Sequence, residues 1–62
     1  MNVNDALDYL KKSESNRIKN SQGGNLYRYF LNIVFEMNDD KMWSMSEERF
    51  LIDCKDETFK KL

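Results

Sequence analysis

Sixty-two residues with ten Lys or Arg, eleven Asp or Glu, no histidine and no proline make a chain of formal net charge −1. A chain this short is one domain, residues 1 to 62, and buries only about 60% of the surface its unfolded form exposes. One cysteine excludes an internal disulfide, and the lack of histidine excludes the mixed Cys–His zinc sets, so association is the remaining way to reinforce so small a core.

The first 25 residues are mostly polar. Asn2 or Asn4 can cap a helix, with Asp5 in its first turn and Lys11 and Lys12 at the end where the dipole favours cations. Val3, Ala6, Leu7 and Leu10 follow helical spacing, so a helix is expected over about Asn4 to Lys12. Ser13 to Asn25 is rich in Ser, Asn, Gln and Gly, with Ile18 its one apolar anchor. It reads either as a loop or as a short edge strand, Asn16 to Asn20, turning through Gln22-Gly23-Gly24-Asn25.

Leu26 to Met37, LYRYFLNIVFEM, is the segment dense enough in apolar groups to nucleate a core. As one strand it would place Tyr27, Tyr29, Leu31, Ile33, Phe35 and Met37 on a single face, and Leu26, Phe30 and Val34 with Arg28, Asn32 and Glu36 on the other. As a helix it would leave Arg28, Asn32 and Glu36 as a narrow polar stripe. Its Tyr, Phe, Ile and Val content favours the strand.

Asn38-Asp39-Asp40 is a turn signal leading to a short strand over Lys41 to Met45. Ser44-Met45-Ser46-Glu47 has the spacing of a capping box, and a second helix is expected from near Ser46. Phe50, Leu51, Cys54 and Thr58 would line its inner face, with Leu62 continuing it, although Asp56 could recap a separate final turn. The expected architecture is α+β: an N-terminal helix, a two- or three-stranded antiparallel sheet centred on residues 26–37, and a C-terminal helix. The alternative is three helices.

Little here points to chemistry. Without histidine a nucleophile lacks its usual base, and Cys54 falls on the presumed buried face, where a structural thiol is the ordinary outcome. The adjacent carboxylate pairs Asp39-Asp40, Glu47-Glu48 and Asp56-Glu57 diverge on any regular backbone. Asn38 to Asp40 lacks the spacing and glycine of a calcium loop, and Gln22-Gly23-Gly24 lacks the pattern of a phosphate-binding loop. We expect no catalytic residues, no cofactor and no metal.

No basic stretch leads into an apolar run near the start, and the central run is too short and too interrupted to span a membrane. One cysteine and four methionines suit a reducing, cytoplasmic setting. Residues 1 to 28 hold five basic and three acidic side chains, net +2, and residues 29 to 62 five and eight, net −3. That asymmetry is too mild for a nucleic-acid platform.

Eight aromatics and four methionines are a heavy apolar load for this length. Two short helices can cover one face of the sheet, and a second apolar face would need a partner. The expected function is therefore a small protein-interaction domain, an inhibitor or regulator of a larger intracellular protein, with homodimerisation as a second way to cover that face. Tyr27, Tyr29, Trp43, Glu47 and Glu48 are the expected contacts. A phage or mobile-element setting is expected only by association with other compact acidic domains; no residue carries it. The alternative is a nucleic-acid-associated module using Lys11, Lys12, Arg17, Lys19 and Arg28.

Overall fold

In a computed structural model, which describes residues 1–62, the first helix, α1, spans Val3–Lys12. Asn2 is its N-cap, and its side-chain oxygen accepts from the Asp5 amide at 2.8 Å. Val3, Ala6, Leu7 and Leu10 are the buried stripe. The polar stretch that follows is ordered as a strand, β1 (Ile18–Asn20). Its turn is built by Asn20, whose side-chain oxygen accepts from the amides of Gln22 and Gly23, while Gly24 takes a φ of 79° that side-chain-bearing residues rarely adopt.

The central run is extended, but it is two strands and not one. β2 (Leu26–Phe30) and β3 (Ile33–Asn38) pair antiparallel across a two-residue turn at Leu31 and Asn32, both with positive φ. Such turns match the twist of the strands they join and normally use Asn or Gly. Leu31 supplies no such signal, which hides the hairpin in the sequence. The turn also reverses the parity of the faces. Tyr29 lies opposite Val34 and Tyr27 opposite Glu36, so the single aromatic face expected of a continuous strand does not exist.

A second tight turn at Asp39-Asp40, with Asp39 at φ 54°, leads into β4 (Lys41–Met45). The second helix, α2, is short, Glu47–Asp53. Its N-cap is Ser46, which accepts from the Arg49 amide; the expected Ser44–Glu47 box does not form, because Ser44 still belongs to β4. The helix ends at Cys54, and the expected continuation through Thr58 to Leu62 is replaced by a fifth strand, β5 (Phe59–Lys61). Asp56 and Glu57 fall in the connection, where the Glu57 amide donates to the Cys54 carbonyl at 3.0 Å.

The sheet thus has five antiparallel strands in the order β4-β3-β2-β1-β5, a larger sheet than the two or three strands expected, within the expected α+β class. The three-helix alternative is overturned by this sheet. β1 is interior, because β5 pairs with it on the side away from β2. Both helices pack on one face, enclosing Ile18, Tyr27, Val34, Phe50, Cys54 and Phe59 with the α1 stripe. The Tyr27, Phe50 and Phe59 rings meet with centroids 5.3–5.7 Å apart, in the tilted and edge-on arrangements that aromatic quadrupoles favour.

Candidate protein-binding face

Strand register determines what the other face carries. Pairing of Lys60 with Lys19, Lys19 with Leu26, Leu26 with Met37, and Met37 with Met42 makes one row across all five strands. The next row holds Arg28, Phe35 and Ser44, and the next Phe30 and Ile33. These alternate with the core residues and so point away from the helices. Phe30 is 47% and Met42 64% exposed, and Leu26, Ile33, Phe35 and Met37 are half-buried. A groove of about 310 Å³ opens on this face, lined by Arg28, Phe30, Phe35, Met37, Met42 and Glu14 from the loop after α1.

The face is divided. Its β2–β3–β4 half is apolar, and its β1–β5 half is cationic through Lys19 and Lys60, with Arg28 between them. Glu14 is the one carboxylate among the groove residues. Acidic side chains gather mostly elsewhere: Asp5 and Asp8 on α1, Glu47, Glu48 and Asp53 on α2, Asp56 and Glu57 beyond it, and Asp39 and Asp40 at the β3–β4 turn. A chain of net charge −1 therefore carries a cationic, apolar sheet surface.

The residues expected to contact a partner are scattered. Tyr27 is a correction: it is 2% exposed, with its hydroxyl donating to Glu36 at 3.2 Å and lying 3.9 Å from the Cys54 thiol, and it offers no surface. Parity places it against the helices. Tyr29 is half-buried and donates to Glu47 at 2.6 Å, while the other Glu47 oxygen accepts from Lys11 at 3.0 Å. This group joins β2, α1 and α2. The Tyr29 hydrogen bond, followed by that of Lys11, holds the Glu47 carboxyl below its ordinary range, and Glu47 in turn holds the Tyr29 and Lys11 protons more tightly. Trp43 is 46% exposed on β4, opposite Glu36 and beside Arg49 and Asp53. Glu48 is exposed on α2.

Of the basic residues, Lys19 and Arg28 share the open face, with Arg17 exposed just before it. Lys11 is engaged with Glu47, and Lys12 lies with Asp5 and Asp8 on the α1 side. Sequence reasoning missed Phe30, Phe35, Met37, Met42 and Lys60 as one surface. Only the hairpin at Leu31-Asn32 and the fifth strand bring them together.

Cys54 is 5% exposed, and burial, then the nearby Glu57, push its thiol up to about 12. It is a neutral packing group at physiological pH, not a thiolate. No helix is long and apolar enough to cross a membrane. Comparison with family models, curated proteins and solved structures finds no match for this chain.

Proposed function

We propose that this chain is a non-enzymatic protein-interaction domain that inhibits or regulates a larger intracellular protein by binding it. The observation behind this reading is the open sheet face, where Phe30 and Met42 stand exposed beside four half-buried apolar side chains. Contiguous apolar surface of this kind marks interaction sites, and Phe and Met are enriched at interface cores. An interface of about 800 Å² per partner would cover roughly a fifth of the 4321 Å² total surface. Trp43, on the helix side of β4, and Glu48, on α2, stand away from this face. Cytoplasmic location and a phage or mobile-element setting go with this reading as proposals.

The test is capture of a binding protein from cell extract on the native chain and on a Phe30→Ser, Met42→Ser variant that keeps the native circular dichroism. A protein retained by the first and lost by the second is the expected result. Retention unaffected by the variant would remove this face from the reading.

A nucleic-acid reading has one observation in its favour: Lys19 and Arg28 share the face with exposed Phe30, a combination suited to phosphates and a stacked base. It requires oligonucleotide affinity that falls steeply with added salt. Leu26, Ile33, Met37 and Met42 have no flat π-surface for stacking, which makes it the second choice.

A further inference from the structure

Resting on the reading of the open face as a protein-binding surface, we infer that its occupant is an amphipathic helix with carboxylates along one flank. Three features specify it. The apolar half spans β2, β3 and β4, strands about 4.8 Å apart, so the strip is about 10 Å between its outer strands and matches the width of one helix. From the Phe30–Ile33 row to the Met37–Met42 row is four residues along each strand. That is about 13 Å, or roughly nine residues of helix. The opposite face of the same sheet already packs two helices, so its twist accepts them.

Charge sets the flank. Lys19 and Lys60 are paired neighbours on the β1–β5 side, and Arg28 stands next to Phe35 at the boundary. Both Lys19 and Lys60 are exposed and make no ion pair. A helix seated on β2–β4 would lay one flank over these cations and the other beyond β4. Glu or Asp on the first flank is complementary, and Lys there is repelled. A second copy docked by the same face would offer three cations and one carboxylate, Glu14, and so supplies little complementary charge.

The experiment titrates the ¹⁵N-labelled chain, residues 1–62, with three synthetic 16-residue amphipathic helices that share one leucine stripe. They carry Glu, Gln or Lys along one flank. The Glu peptide is expected to shift the amides of β2, β3 and β4 and to bind at least about tenfold tighter than the Lys peptide, with the gap narrowing as salt rises. The variant Lys19→Glu, Lys60→Glu, altered only at exposed positions, should reverse the order. Equal binding of all three peptides at this face would overturn the acidic partner while leaving a protein-binding face intact. No peptide binding, with tight binding of an oligothymidine probe to the same amides, would overturn both. A concentration-dependent dimer in sedimentation, broken by Phe30→Ser with Met42→Ser, would assign the face to a second copy and overturn the helix.

Discussion

Two residues in this fold work against their local preferences or depend on neighbours far along the chain. Leu31 holds a φ of 50° in a tight turn while 76% exposed, so its side chain gains little burial in return for the strain. Replacing Leu31-Asn32 by Asn-Gly should stabilise the protein by about 1 kcal/mol, read as a higher urea midpoint at unchanged slope. An unchanged midpoint would mean that the turn is not strained. Asn20, 3% exposed, accepts from two turn amides and donates to Glu57 at 2.6 Å. Asn20→Asp keeps the acceptor but sets a carboxylate against Glu57. A loss of about 2–3 kcal/mol is expected at neutral pH, partly recovered as pH falls into the carboxylate range. A loss independent of pH would show that Glu57 is not the opposing charge.

The elements differ in how they hold together. β5 is only three residues long, yet Phe59 is 2% exposed and packs edge-on against Tyr27. Phe59→Ala should cost about 3–4 kcal/mol. Phe30→Ala, on the open face, should cost about 1 kcal/mol or less. Chemical denaturation of the two variants separates core from surface, and equal losses would refute the face assignment. Reading these elements from sequence succeeded where composition is local. The α1 stripe, a cap at one of Asn2 or Asn4, and a second helix beginning near Ser46 depend on residues within one or two turns. The Ser44–Glu47 box, by contrast, was displaced by the strand that holds Ser44. The fifth strand was illegible because Phe59-Lys60-Lys61 has no strand alternation of its own and is stabilised by pairing with Ile18 to Asn20, some 40 positions away.

At the scale of the molecule, the two ends of the pH range act through different groups. Glu47 has a lowered pKa in the fold, so its contribution is present above the ordinary value of 4.5 and is lost as pH falls through and below it. Cys54 and Tyr27 have raised pKa values, chiefly from burial. The Cys54 contribution is complete below the unfolded thiol value of 9.0 and declines as pH rises from there toward about 12. That of Tyr27 declines only as pH rises above the ordinary tyrosine value of 10.0. Stability should therefore plateau between about pH 4.5 and 9 in urea melts taken across the range. Cys54→Ala should lessen the alkaline decline, and an unaltered decline would assign it to other groups.

By itself the sequence determined the size, the α+β class, the first helix, the start of the second and the extended character of residues 26–37. All of these rest on short-range spacing and composition. Tertiary structure alone decided that this run folds back at Leu31-Asn32, that the C-terminal residues join β1, and which side chains share a face. Face membership has a period of two, so one unrecognised two-residue turn exchanges the sides of everything beyond it. That exchange sets Val34 and Glu36 on the helix side with Tyr27 and Tyr29, and Phe35, Met37 and Met42 on the outward surface with Phe30 and three cations.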